Sequence, residues 1–432
     1  MKEKKRVLIL GAIDSFCDLI EDYKKMGVET IACDYYEGAP GKAIADYGYD
    51  ISTLDVDKLV EVGREHEIDG VLCAFSDRNI EPCYEVARQL GLPQIYEPEL
   101  IKRLTDKIYM KEVFRKGGFP IIEYAILTEY FNDEELSNFS FPVIIKPIDS
   151  SGSKGIFICS SIDEIRERMP ETIEQSVSYT DRFIIEEYYP YDEISITAWV
   201  SEGKSYVTCI YDNGKNFNPE NAANVSLCNV VFPSKYTHGN VDYFKELVQK
   251  AVEAFQVKDG PVTIQCFIGP DGLKVNEFIC RLAGDGAYMC SEVMGAPAVA
   301  EKTENYVIGN PVNCEDLENF NPDKEETYYQ IGVYINRKGK LYFDFSKEEL
   351  FDRIPGLQRA DIYAKSGTEC KFVTTGGTVI CRLYVRADRS IGGYVDYLDL
   401  IKSVIEIKDE NGNEIADFHE PDHRLSESCY EL

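Results

Sequence analysis

The first hundred residues alternate short apolar runs with amphipathic segments, and this alternation limits the fold more than any other feature of the sequence. Three apolar runs predict strands and three amphipathic segments predict helices, in the order 7–10, 16–26, 29–33, 55–66, 70–75 and 80–90. Short strands separated by helices are typical of a doubly wound, mostly parallel sheet in an α/β domain. Ligands of such sheets bind at the carboxyl ends of the strands, here near 11–14, Asp34 and 76–77.

The turn after the first strand argues against a dinucleotide site. The dinucleotide fingerprint needs three spaced glycines, which let the backbone approach a pyrophosphate. Gly11 is followed by Ala12, Ile13 and Asp14, so only the first glycine of the fingerprint is present. The sequence therefore disfavours an NAD-binding domain.

The composition indicates a globular protein that does not work on nucleic acids or membranes. Its 432 residues suggest about three domains, at roughly 150 residues each. Lys and Arg number 46 and Asp and Glu 76, and the net charge of −30 argues against nucleic-acid and anionic-membrane partners. No apolar stretch approaches the ~18–20 residues of a spanning helix. Fourteen scattered cysteines without a Cys-x-x-Cys pair predict reduced thiols and a cytoplasmic location.

From residue 99 onwards the pattern changes to α+β modules, and the last hundred residues are rich in hairpin signals. In the middle of the chain, strands are predicted at 141–147, 156–159, 182–187, 193–200 and 261–268, with a helix at 242–255. Near the carboxyl terminus, runs 328–336 and 340–345 predict one hairpin, and 371–375 and 378–386 predict a second around two glycines. A helix at 395–405 follows.

The segment from Ser150 to Gly155 is the first candidate site. A turn rich in glycine and serine exposes backbone N–H groups and hydroxyls, which suit phosphate oxygens, although many structural hairpins have the same composition. Lys146 ends the apolar strand just before this turn. A buried ammonium needs an anionic partner, and phosphate is a good one. Lys107 would supply a second cation.

Four residues at the junction of two later strands form a second candidate. Glu186 and Glu187 end one strand, Tyr189 follows, and Glu193 begins the next strand. In a protein with 76 acidic residues, paired glutamates are commonly a solvated face. At a strand end beside a nucleotide they would instead bind adenine and ribose.

The third candidate is an oxygen pair followed by an arginine. Gln265 and Glu277 lie on two strands joined by a tight turn, so they are expected to face each other across a hairpin. Such an oxygen pair suits Mg²⁺, which prefers oxygen ligands and substrate phosphates. Arg281 would neutralise charge on a transferring phosphoryl group. The alternative is a surface ion pair of Arg281 with Asp285 or Glu292.

In their order along the chain, these residues resemble the ATP-grasp superfamily. The sequence is similar to stand-alone relatives of the carbamoyl-phosphate synthase large subunit and to amino-acid ligases. The resemblance implies an amino-terminal domain at 1–98, a two-part ATP-grasp domain at 99–325 with a lid at about 120–200, and a β-rich cap at 326–432. It also implies an ATP-dependent ligase that activates a carboxylate as an acyl phosphate for attack by an amine or ammonia, with ADP and phosphate as products. The substrates would be small molecules, and a homodimer is possible.

The resemblance also implies a role for each candidate residue. Two lysines would hold the α- and β-phosphates, a loop would cover the triphosphate, backbone atoms near 186–189 would bind adenine, and a glutamate would hold the ribose. The residues implied to bind ATP are Lys107, Lys146, Ser150, Ser151, Gly152, Ser153, Lys154, Gly155, Glu186, Glu187, Tyr189 and Glu193. Gln265 and Glu277 would ligate Mg²⁺ (or Mn²⁺), and Arg281 would act on the γ-phosphate and the acyl phosphate.

One position departs from the family pattern. Two residues after Glu277 the family usually has an asparagine that ligates metal, and this chain has Ile279. The alternative function is therefore an ATP-binding sensor or accessory subunit with little catalytic activity. The sequence does not indicate which carboxylate or amine would be used.

Overall fold

The computed structural model describes residues 4–150, 155–178, 180–217, 225–370, 377–388, 390–418 and 429–432. They form four sheets, of which the largest has eight strands. In the described parts, no helix is both long and apolar enough to cross a bilayer.

The amino-terminal part contains the predicted parallel sheet, with strand order β3-β2-β1-β4. Its elements are β1 (Arg6–Leu10), α1 (Cys17–Lys25), β2 (Glu29–Cys33), α2 (Pro40–Ile44), β3 (Tyr47–Tyr49), α3 (Val56–Glu65), β4 (Gly70–Leu72) and α4 (Ile80–Leu90). Alternate residues of β1 pack into two different hydrophobic cores, one on each face. Burial on both faces explains why the strand reads as a continuous apolar run.

The next part forms a small antiparallel sheet with order β5-β8-β6-β7 and a core of its own. Its elements are α5 (Pro98–Thr105), α6 (Lys107–Lys116), β5 (Tyr124–Thr128), β6 (Val143–Pro147), β7 (Phe157–Cys159), α7 (Ile162–Glu174) and β8 (Arg182–Glu187). Asp106 caps α6, because its side chain accepts from the N–H of Ile108 at 2.8 Å. The cap fixes the helix start and orients its first turn.

The eight-stranded sheet has the order β13-β12-β9-β10-β11-β14-β18-β16. Its first half and the following helices comprise β9 (Asp192–Ser201), β10 (Lys204–Phe217), β11 (Val225–Phe232), α8 (Val241–Phe255), β12 (Gly260–Gly269), β13 (Gly272–Ile279), α9 (Ala287–Val293), α10 (Val299–Val307) and α11 (Glu315–Glu318). The carboxyl-terminal elements are β14 (Tyr328–Ile335), β15 (Gly339–Lys340), α12 (Lys347–Arg353), β16 (Leu357–Ile362), β17 (Glu369–Cys370), β18 (Thr378–Arg386) and α13 (Tyr394–Val404).

The prediction of a hairpin between 328–336 and 340–345 was wrong. β14 pairs with β11 and β18, and the segment after it contributes only the two-residue β15, which pairs with β17. Every residue of β14 is buried, since the strand lies in the interior of the large sheet. An apolar run predicts that a strand forms but does not identify its partner. In the second predicted hairpin, strand 378–386 is present as β18, and 371–375 lies outside the described residues.

Candidate active site

A cleft of about 1110 Å³ is lined by residues from the amino-terminal part, the small antiparallel sheet and the large sheet. Most of the site residues predicted from the sequence line it: Lys107, Lys146, Ser150, Glu186, Glu187, Tyr189, Glu193, Gln265, Glu277 and Arg281. Gly155 does not line the cleft, and its carbonyl accepts from the hydroxyl of Thr172 at 2.9 Å. Ser151, Gly152, Ser153 and Lys154 lie outside the described residues.

Glu186 holds two lysines in one wall of the cleft. Lys146 Nζ lies 2.8 Å from Glu186 Oε2, and Lys111 forms an ion pair with the other carboxylate oxygen. The three side chains are buried, with 3–7% of each residue exposed. The sequence predicted an anionic partner for Lys146, and the partner within the chain is Glu186. Its side chain therefore holds lysines, and only its backbone would remain for adenine.

Burial and pairing act in opposite directions on these charges. Burial opposes ionisation of Glu186, but Lys111 and Lys146 outweigh it and lower the pKa of this carboxyl group to about 2. Burial lowers the pKa of Lys111 to about 8, against the opposing effect of Glu186. Two ammonium groups around one carboxylate leave a net positive charge at neutral pH. A cluster of this charge suits a polyphosphate.

Lys107 links the loop after β6 to the large sheet. Its Nζ donates to the carbonyl of Ser150 at 2.6 Å and lies 3.9 Å from Glu277 Oε1. Lys107 and Lys111 are one helical turn apart on α6, so both reach the cleft from the same face. Sequence reasoning missed Lys111. The available signal was its position four residues after Lys107, but a lysine in an amphipathic helix is usually exposed.

The oxygen pair lies where the sequence predicted it. Gln265 and Glu277 are directly opposite each other in the β12–β13 ladder. The register then shifts, because the next pair is Cys266 with Val275, so Asn276 is the extra residue of a β-bulge. Consecutive strand residues normally point to opposite faces, yet Asn276 and Glu277 both line the cleft. The bulge thus adds a second amide-bearing residue, besides Gln265, to the cleft lining next to Glu277.

Arg281 is buried and paired with Asp77 from the amino-terminal part. Its Nε donates to Asp77 Oδ1 at 2.8 Å and its Nη2 to Oδ2 at 2.7 Å, which is a fork-to-fork contact. Burial tends to raise the pKa of Asp77, but the charge and hydrogen bonds of Arg281 outweigh this effect. The pKa of Asp77 is therefore lowered. The alternative of a surface ion pair with Asp285 or Glu292 was wrong. Asp77 lies 204 positions earlier in the sequence, and only the tertiary fold brings the two side chains together.

The segment between β8 and β9 has one free backbone donor at the cleft. The N–H groups of Glu187 and Tyr188 donate to the carbonyls of Glu123 and Pro142. In the described part of the chain, the N–H of Tyr189 has no acceptor. Tyr189 lines the cleft and its hydroxyl donates to the carbonyl of Gly272 at 3.1 Å, which holds the residue in place. A planar heterocycle could accept from that N–H.

Three strands of the small antiparallel sheet and the first half of the large sheet match a known domain family. Residues 139–288 match the family model described as the ATP-grasp domain. This part of the chain is therefore similar to an ATP-grasp domain. The matched range covers Lys146, Glu186, the oxygen pair and Arg281, while α6 with Lys107 and Lys111 precedes it.

Curated relatives match less than half of the chain at low identity. The formate-dependent phosphoribosylglycinamide formyltransferase of Ignicoccus hospitalis is 26% identical over 190 residues, covering 44% of this chain and 47% of the relative. The enzyme with the same name from Methanocaldococcus jannaschii is 26% identical over 211 residues, covering 48% and 54%. The chain thus spans about half the length of the curated relatives it matches.

Solved structures with a similar fold cover nearly the whole chain. The biotin carboxylase domain of Hydrogenobacter thermophilus 2-oxoglutarate carboxylase matches with a TM-score of 0.75 at 17% identity, covering 96% of this chain and 92% of that one. The L-amino acid ligase from Bacillus licheniformis matches with a TM-score of 0.72 at 16% identity, covering 95% and 100%. At these identities the likeness concerns the fold.

Proposed function

We propose that this protein is an ATP-dependent ligase that joins a carboxylate to an amine or ammonia and releases ADP and phosphate. The observation that carries the proposal is the convergence in one cleft of the Lys111–Glu186–Lys146 cluster, the Gln265–Glu277 pair and Arg281. In this arrangement the lysines of the cluster suit the triphosphate, and the side-chain oxygens of the Gln265–Glu277 pair suit a divalent metal ion. The ATP-grasp match and relatives named as formyltransferases and ligases support it.

We place ATP with its triphosphate on Lys107, Lys111 and Lys146 and its adenine at the β8–β9 segment. The unpartnered N–H of Tyr189 would donate to adenine, and Glu193, which lines the same cleft, would bind the ribose. The loop from Ser150 to Gly155 would cover the triphosphate. In this proposal residues 1–98 and the cap at 326–432 provide the remaining walls of the cleft, and the region at about 120–200 closes as a lid.

We also propose that Gln265, Asn276 and Glu277 hold Mg²⁺ or Mn²⁺. In the described ranges, no group of three or more His, Cys, Asp or Glu side chains could hold a metal ion. A site here would therefore combine one carboxylate, amide oxygens and the phosphates of ATP, which suits Mg²⁺. Asn276 in the bulge would supply the amide that Ile279 lacks. The bound ion would neutralise phosphate charge during transfer.

The chemical step follows from these placements. A carboxylate oxygen attacks the γ-phosphorus, the bond to the bridging oxygen of ADP breaks, and an acyl phosphate results. The amine then attacks the acyl carbon, loses a proton and displaces phosphate. The chain contributes positioning and charge neutralisation, with Arg281 fixed by Asp77 beside the reacting groups.

The test is nucleotide turnover with a panel of carboxylates and amines. Release of ADP and phosphate that requires one carboxylate and one amine together would support the ligase. If no pair stimulates ADP release while MgATP binds, the protein is an ATP-binding sensor or accessory subunit. Ile279 favours that second function, because it replaces a metal ligand. Asn276 next to Glu277 argues against that function, because its amide would replace the missing ligand.

A further inference from the structure

Arg382 on β18 is a buried cation that forms no ion pair with a carboxylate in the described ranges, although Asp14 is near enough to interact with its charge. It is 4% exposed, and its Nη2 donates to the carbonyl of Gly284 at 3.1 Å. Its guanidinium carbon lies 5.9 Å from the centre of the Tyr363 ring. Its buried Nε has no hydrogen-bond partner. Buried charges are normally paired, so an arginine held in this state needs an explanation.

Two other arginines in this region form ion pairs with carboxylates. Arg281 forms its two hydrogen bonds with Asp77. Arg359 is paired with Asp18 at 3.1 Å and with Asp361 at 2.6 Å. Arg382 lies on the strand next to that of Arg359 and has no such partner. Arg382 lines the cleft, as Arg281 does and Arg359 does not, but of the two arginines at the cleft only Arg281 has a carboxylate in hydrogen-bond contact in the described residues.

Arg382 occupies a different wall from the lysine cluster. The lysines project from α6 and β6, whereas Arg382 projects from β18 and is fixed to the loop that follows Arg281. Asp14, four residues after the end of β1, lines the same cleft and is 6% exposed. It interacts with Arg382 electrostatically, but the two side chains form no ion pair in the described structure. Donors of the guanidinium are therefore left for a molecule in the cleft. A planar guanidinium with free donors suits an oxyanion.

We propose that Arg382 binds an oxyanion of the substrate, a carboxylate or phosphate group separate from the group that receives the γ-phosphoryl. This inference rests on the proposed ligase activity, because it specifies a substrate for the same cleft. The substrate then carries a negative charge remote from the reacting atoms. Arg382 selects for that charge, while the lysines hold ATP.

The direct test is anion binding with the nucleotide site filled. The full-length protein is saturated with MgADP and titrated with inorganic phosphate and, separately, with malonate, and binding is followed by thermal shift. We expect stabilisation by one probe or both, and the stronger probe indicates whether the substrate group is a phosphate or a carboxylate. Arg382→Gln should weaken that binding at least tenfold. The matched control Arg386→Gln, an exposed arginine on the same strand, should leave it unchanged.

Arg382→Lys provides a second variant that keeps the charge if the glutamine variant fails to fold. It should bind the anion more weakly than the wild type, because an ammonium lacks the planar fork. Equal binding by wild type, Arg382→Gln and Arg382→Lys would overturn the proposal, as would absence of binding to the wild type. Failure of the ligase proposal is a separate result, since it appears as absence of ADP release while anion binding is still measurable.

Discussion

Lys146 belongs to a cluster in which a single carboxylate holds two cations. Its removal should therefore weaken the binding of a polyphosphate. Lys146→Ala should weaken MgATP binding by about 1.5–3 kcal/mol, the range of a charge-assisted contact. Calorimetry measures the change. Lys116→Ala, on the exposed side of α6 where it pairs with Glu112 at 3.2 Å, is the matched control. Unchanged affinity in the Lys146 variant would show that this lysine does not bind phosphate.

Arg281 provides the residue-scale test of the chemical step. Because its charge acts on the transferring phosphoryl group, Arg281→Lys should lower kcat by at least ~10²-fold, about 2.7 kcal/mol, with a smaller change in ATP affinity. Lysine retains the charge beside Asp77 but lacks the second parallel hydrogen bond. The melting temperature is measured on the same sample. A variant that melts lower but turns over fully would leave Arg281 with a structural role alone.

The sequence predicted the role of a side chain correctly where that role depends on the residue type and its position along a strand. Lys146 at the end of an apolar strand and the Gln265–Glu277 pair across a short turn are local patterns, and both side chains of the pair face the cleft. Lys111 was missed, and Asp77 was expected near a ligand site but not as the partner of Arg281. Their roles depend on contacts with Glu186 and Arg281, which are distant in sequence, and no local pattern indicates such contacts.

At the scale of elements, periodicity predicted many boundaries to within one residue but not strand partners. Helix α4 begins at Ile80 and ends at Leu90, as its amphipathic pattern predicts. Strand β14 was predicted, but its pairing with β11 and β18 was not. An interior strand of a large sheet need not pair with the segment that follows it in the sequence. The bulge at Asn276 also escaped prediction, since one extra residue in a ladder depends on the register of both strands.

The bulge leads to a prediction about metal binding. Asn276→Leu should weaken Mn²⁺ binding in the presence of ATP by at least about tenfold, the low end of the loss seen when a metal site loses a supporting partner. Mn²⁺ binding is measured by electron paramagnetic resonance, independently of turnover. Ile279→Asn added to this variant should restore part of the affinity, because Ile279 also lines the cleft. Normal Mn²⁺ affinity in Asn276→Leu would exclude Asn276 as a ligand.

At the scale of the whole molecule, the chain is strongly acidic, whereas Lys111 and Lys146 place two cations together in the cleft. A chain of net charge −30 repels nucleotides at long range, so ATP binding depends on the local lysine cluster. One of the many acidic residues, Glu304 on α10, is buried, with 2% of the residue exposed. Burial, together with Asp22, Glu292 and Glu301, raises the pKa of Glu304 to about 9.

Glu304 therefore makes stability depend on pH. The folded state keeps this proton up to about pH 9, whereas the unfolded chain releases it near the ordinary pKa of 4.5. Stability is complete below the unfolded pKa and is lost as the pH rises through this window. Glu304→Gln should raise the melting temperature at pH 8 and change it little at pH 4.5. Glu315→Gln, an exposed position, serves as control, and an equal effect of Glu304→Gln at both pH values would refute the assignment.

The central claim is that a carboxylate receives the γ-phosphoryl group in the cleft between Lys146 and Arg281. The most direct measurement uses a substrate whose carboxylate carries ¹⁸O, with mass analysis of the phosphate released during turnover. If an acyl phosphate forms and its acyl carbon is attacked by the amine, one ¹⁸O atom moves from the carboxylate to each phosphate. Release of ADP with unlabelled phosphate would contradict the account, because ATP would then be hydrolysed without activating the carboxylate.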